Sequence, residues 1–137
     1  YTWRPRIMAS ILRVNTLTDA SSNNSVPMAT VASGSAKAWV QLNGTGTIAA
    51  RDSFNHSSLT DGGVGRYKNT ISSAMGNDDY VVHATGDIGS VDDFAVACTN
   101  DSTTARTTTA AEMRIGNTGG ASKDTTIASM SFFGDLA

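Results

Sequence analysis

The chain has 137 residues, 39% of them hydrophobic and 16% charged, with a formal net charge of −2 and a single cysteine, Cys98. A chain of that length can remove roughly two thirds of its unfolded surface from water, and none of its apolar runs approaches the ~20 residues of a membrane-spanning helix. One cysteine excludes an intrachain disulfide framework, and a balance of charge this close to neutral argues against nucleic acid as a partner, which calls for a basic face.

Thr, Ser, Asn and Gly together make about 40% of the chain, whereas glutamate and glutamine occur once each, as Glu112 and Gln41. The residues that usually cover a helix surface are thus scarce, while Thr and the β-branched residues favour strands and Ser, Asn and Gly favour turns. Recurrent short apolar blocks at low net charge argue for an ordered chain. No apolar block of signal-peptide length accompanies Arg4, Arg6 and Arg13, so residues 1–13 do not read as a leader.

In chain order, Met8–Leu17 is the first strand-like stretch, with Leu12, Val14 and Thr16 on one face. Thr18–Ser25 follows as a polar linker. From Ala36 the alternation tightens. Ala36, Ala38, Val40 and Leu42 share one face, with Lys37, Trp39 and Gln41 opposite. Asn43-Gly44-Thr45-Gly46 is a turn signal, and Thr47–Phe54 returns as the second strand of a hairpin. After a turn at Thr60–Gly65, Arg66–Ser73 alternates Tyr67, Asn69 and Ile71 against Lys68, Thr70 and Ser72. Ser73–Met75 could form one short helical turn. Tyr80–Thr85 is a further strand, Phe94, Val96 and Cys98 share a face of the next, and Ala111, Met113 and Ile115 share a face of another, with Glu112 and Arg114 opposite. Thr126–Phe133 closes the series. This spacing predicts an all-β chain: a compact β-sandwich or barrel-like domain of about seven short strands over residues 36–137, preceded by an extended N-terminal arm with its polar linker over residues 1–35.

Chemistry is sparse in this pattern. Asp78–Asp79 and Asp92–Asp93 are adjacent pairs, which point to opposite faces of a strand and so could not act together on one glycosidic bond without a bend in the chain. They read as turn residues. His56 and His83 lack compact zinc-ligand spacing, although a histidine on a symmetry axis could meet its copies around an ion. Cys98 is in phase with Phe94 and Val96 and reads as a buried thiol. No GxSxG element frames a serine, and Gly44-Thr45-Gly46 lacks the lysine and spacing of a phosphate loop. No catalytic residue, metal site or cofactor is expected. Trp39, Phe54, Tyr67 and Tyr80 are candidates for the core or for a subunit interface, where aromatic residues are enriched. Trp39, out of phase with Val40 and Leu42, requires cover from another part of the fold or from a neighbouring subunit.

The blocks AKAWV (36–40), NGTGT (43–47) and RDSFN (51–55), with Ser57-Ser58, Thr60-Asp61, Ala74-Met75 and Tyr80 beyond them, resemble a segment of virion structural proteins from tailed bacteriophages of the marine and cyanobacterial type. That similarity covers residues 36–80, about a third of the chain. SILRVNTLTD (10–19) and IASMSFFGD (127–135) resemble the opening and closing segments of such proteins. The resemblance implies a non-enzymatic fibre or spike component, trimeric with itself, docked on other virion proteins by its N-terminal segment and facing the host outward. Ile11, Leu12, Arg13 and Val14 would then make the attachment, and a host-surface glycan or protein would be the outer partner. It implies location in the virion after assembly in the host cytoplasm, with neither nucleic acid nor an inserted membrane as partner. A head-decoration protein that clamps capsomers is the alternative, and a glycan-degrading tailspike enzyme a third reading. The sequence departs from the family pattern at His56, where the family has Val, at Gly76, where it has Pro, and at Asn69-Thr70-Ile71, where it has Val-Asn-Phe. The last change predicts a weaker inner face for that strand.

Overall fold

The computed structural model describes residues 12–87, 96–99 and 106–137, the backbone alone for 96–99. Its described residues form ten strands and one short helix in two compact units, residues 1–34 and 35–137. The protein is all-β.

In the first unit, β1 (Thr16–Thr18) and β2 (Ser25–Pro27) pair antiparallel. The residues expected to form a plain linker close this hairpin. Asp19 accepts hydrogen bonds from the Asn23 N–H at 3.0 Å and the Asn24 side-chain amide at 2.8 Å, an Asx-type turn, and the Asn24 amide holds the Asp19 carboxyl below its usual range. α1 (Met28–Gly34) follows; Pro27 before it and Gly34 at its end are the start and stop residues expected of a helix. The first strand is shorter than the sequence predicts. β2 ends at Pro27, where the helix begins, and ahead of Thr16 the Asn15 carbonyl accepts the Met28 N–H at 2.8 Å. Leu12, Arg13 and Val14 lie exposed outside any strand, and Met8–Ile11 fall outside the described residues.

The second unit is a sandwich of two four-stranded antiparallel sheets. The first sheet has the order β4 (Ala49–Phe54), β3 (Ala38–Asn43), β10 (Ile127–Phe133) and β7 (Val81–Asp87). The second has the order β5 (His56–Asp61), β6 (Arg66–Ile71), β9 (Ala110–Gly116) and β8 (Val96–Thr99). Period-two alternation decides which residues meet. From the first sheet, Val40 pairs with Met130 and Met130 with Ala84, while Ala38 pairs with Phe132 and Phe132 with Val82. From the second, Tyr67 pairs with Met113 and Asn69 with Ala111. The apolar ones join one buried cluster, with Ala84 packed against it and Asn69 buried beside it. The sheets approach most closely where bulk is missing: a Cβ on Gly86 would lie 2.3 Å from Ile115 Cδ1, and one on Gly44 would lie 2.2 Å from the Tyr67 ring. Gly44 is therefore required by packing under the loop.

Among the described residues eight strands occupy this unit, one more than the alternation suggests, because β5 carries a single apolar residue, Leu59, and gives no pattern. Ser73–Met75 forms no helix; Met75 bridges Leu136 and sits buried in the core. Cys98 lies on β8 opposite Arg114, its side chain outside the described residues, as are Phe94 and Asp92–Asp93. Glu112, on the face opposite Ala111, Met113 and Ile115, is 5% exposed with Arg66 folded over it, donating from Nε at 3.1 Å and Nη2 at 2.9 Å to one carboxylate oxygen.

The two sheets are joined at Asn55. Its φ of 52° is left-handed, a conformation Asn tolerates better than most residues, and it turns β4 of the first sheet into β5 of the second. The side chain fixes the corner. Nδ2 donates to the Lys37 carbonyl at 3.0 Å and the Ser73 carbonyl at 3.2 Å, and Oδ1 accepts from the Ser73 N–H at 2.7 Å. Two tyrosine hydroxyls tie the loops. Tyr67 donates toward Gly44 O at 3.3 Å or Asp124 Oδ1 at 3.2 Å and accepts from the Thr125 N–H at 3.2 Å. Tyr80 reaches Thr107 O at 2.8 Å and Ala110 O at 3.0 Å. Burial pushes both hydroxyls up to about 12.

Replacing Asn55 by Ala should cost about 2–3 kcal/mol, since it removes the clamp and keeps the strained φ. Asn55→Gly should cost about 1 kcal/mol less, because glycine adopts that φ freely. Urea unfolding of the two variants measures the difference; equal losses would deny the corner any strain. The raised tyrosine values carry a pH sign. An unfolded tyrosine ionises near 10, so stability is full below pH 10 and falls as the pH rises toward 12. Alkaline unfolding followed by circular dichroism should show that loss, and Tyr67→Phe should reduce its slope.

Candidate functional site

Alternation that buries one set of side chains presents the other set on the outer face of the first sheet. Two cross-strand rows run over it. In one, Phe54 pairs with Trp39, Trp39 with Ser131 and Ser131 with His83. In the other, Asp52 pairs with Gln41, Gln41 with Ser129 and Ser129 with Thr85. Phe133 pairs with Val81 beyond the first row, and its ring lies 5.4 Å from the His83 ring.

The strand order makes this face concave. β10 lies between β3 and β7 and carries serines at 129 and 131, while its neighbours carry Trp39 and Gln41 on one side and His83 and Thr85 on the other. Small residues between taller ones leave a trough of about 350 Å³ over the serines, which Val40, Ala84 and Met130 also line. Phe54 is 55% exposed and Val81 54%, so apolar surface flanks it. A hydrogen bond from the Ser53 N–H at 2.8 Å orients the Asp52 carboxylate at its edge.

The four aromatic candidates separate into two pairs. Tyr67 and Tyr80 are core residues, 0% and 3% exposed, and the Tyr80 ring packs 5.7 Å from Phe132. Trp39 and Phe54 stand side by side on the outer face. The histidines separate too. His83 is exposed on β7 of the first sheet and His56 half-buried on β5 of the second. Asp78 and Asp79 are exposed in a loop, where the Asp79 N–H donates to Asn77 Oδ1 at 3.0 Å.

His56 reveals a pairing that sequence reading missed. Its Nδ1 lies 2.6 Å from Oδ1 of Asn69, a residue with no exposed surface whose Nδ2 has no hydrogen-bond partner. Both positions hold Val in the phage-protein pattern described above. The inner face of β6 stays buried in spite of Asn69, because the two polar side chains satisfy one another in part. The signal was available only as a pair of departures from one pattern, thirteen positions apart.

Comparison with family models, with curated proteins and with solved structures finds no match to this chain. No helix among the described residues is long and apolar enough to cross a membrane.

The His56–Asn69 contact generates a double-mutant prediction. His56→Val leaves the Asn69 amide wholly unpaired and should cost about 2 kcal/mol. Asn69→Val removes the orphaned donor, lets His56 turn to water, and should be neutral or stabilising by about 1 kcal/mol. The double variant should be at least as stable as the parent, giving a non-additive cycle. Additive thermal or urea data would show that the two residues do not depend on each other.

Proposed function

We propose that the chain is a non-enzymatic structural protein of a tailed-phage virion, a fibre or spike component that docks through Ile11–Val14 and turns the β-sandwich toward the host surface. The observation that supports this reading best is the outer face of the first sheet. It presents half-buried Trp39 and exposed Phe54 beside a trough of mixed polar and apolar lining, and apolar surface of this kind on a folded domain marks a contact site. The blocks that resemble phage virion proteins build this part of the molecule: AKAWV supplies β3 with Trp39, NGTGT the loop over Tyr67, and RDSFN supplies Asp52, Phe54 and the Asn55 corner. Leu12, Arg13 and Val14 are exposed in the other unit, available for docking. Several copies on one particle turn weak single contacts into firm attachment, so no bond-making step is required of the chain.

The test is particle fractionation and immunogold labelling with antibody against residues 35–137. The chain should band with intact particles, and gold should mark the tail or its fibres. Gold over the head would transfer the protein to the decoration class. Recovery only in the particle-free fraction, or release of reducing ends from polysaccharide by the purified chain, would refute the proposal.

A further inference from the structure

We propose that the trough between Trp39 and His83 is a binding site for a neutral oligosaccharide, with a sugar ring stacked on the Trp39 indole. The inference rests on the reading that this face makes the host contact, and it specifies the ligand.

The shape comes first. β3 and β7 flank β10 and stand two strand spacings apart, about 9.5 Å. Side chains rise roughly perpendicular to a sheet, so Trp39 and His83 form opposing walls over the Ser131 floor. A ring resting on one wall at van der Waals distance, about 3.5–4 Å, leaves space before the other for its substituents or a bridging water. The volume of about 350 Å³ lies at the small end of ligand sites, about 300–1,000 Å³, and suits one or two sugar units. Ile127 and Phe133 share the serines' face of β10 and bound the trough along the strand, so it takes a short stretch of glycan.

The chemistry narrows the class. The indole face carries negative quadrupole charge and attracts the weakly positive C–H groups on one side of a pyranose. Gln41, Thr85, Ser129 and Ser131 direct hydroxyl or amide groups to the same space, and none of these side chains hydrogen-bonds another described residue. Hydroxyl and amide groups both donate and accept, as sugar hydroxyls do. Asp52 adds a carboxylate, a strong acceptor for a pair of hydroxyls. Among the described residues no lysine or arginine lines the trough, so a phosphate, a sulfate or a uronic acid would meet the Asp52 carboxylate with no permanent cation beside it. A flat apolar partner would leave four hydrogen-bonding side chains buried and unpaired, at about 1–3 kcal/mol each. A neutral polyol with apolar C–H faces satisfies both halves of the surface.

Binding is measured on the full chain by calorimetry with maltohexaose, cellohexaose, mannohexaose and chitohexaose, with polygalacturonate as the acidic contrast, and by a printed array of neutral glycans. At least one neutral glycan should bind saturably and polygalacturonate should not. Trp39→Ala should weaken binding at least tenfold with the circular dichroism spectrum unchanged. Ser131→Leu, which fills the trough and retains the indole, should do the same. Three results would overturn the proposal: no neutral glycan bound anywhere on the array, affinity untouched by both variants, or an oligomer that either variant dissociates, which would assign the face to a second copy of the chain. A chain that bands with particles yet ignores every sugar would remove the ligand class and leave the virion reading intact.

Discussion

Asn55 is the residue on which the arrangement of the sandwich depends. It takes the chain out of the first sheet and into the second in a left-handed conformation, and its amide holds the main chain at Lys37 and Ser73. Both hairpins, β3–β4 and β5–β6, start or end within reach of that clamp. Once the corner is set, alternation leaves little freedom, because a slip of one residue in either sheet would turn Val40, Leu42 or Tyr67 to solvent. The buried set is thereby fixed, and so is the outward set that the proposed site uses.

That outward set follows from the central position of β10. Serines at 129 and 131 would be ordinary exposed residues on an edge strand. Between β3 and β7 they become the floor of a trough, since Trp39 and His83 rise on either side. The core underneath keeps the walls in register: Val40, Met130 and Ala84 pair across three strands directly below. A recognition surface built in this way is preorganised, with little ordering cost on binding.

Much of the fold was legible in the sequence. The inner faces Ala38/Val40/Leu42, Tyr67/Asn69/Ile71 and Ala111/Met113/Ile115 are regular enough for period two alone to find them. β5 was not, because its HSSLTD holds one apolar residue and draws its order from β6 and the Asn55 corner. α1 was missed because seven residues carry too little periodicity and only Pro27 and Gly34 announce it. The burial of Glu112 depends on where Arg66 lies in space, which alternation does not report. Of the candidate site, Trp39 was recognisable as out of phase with the core, while its partners Ser131 and His83 come from distant strands whose order no local pattern encodes. His56 and Asn69 read as two unrelated polar positions until the strands are placed. Their contact makes them one pair.

The most direct test of the outer face as a contact surface is hydroxyl-radical footprinting of the chain, free and then bound to host cells. Trp39, Phe54 and His83 should oxidise readily in the free chain and become protected together on cells, while buried Phe132 and Tyr67 stay unreactive in both. Equal oxidation of Trp39, Phe54 and His83 in the two states, with protection appearing elsewhere on the domain, would contradict the account.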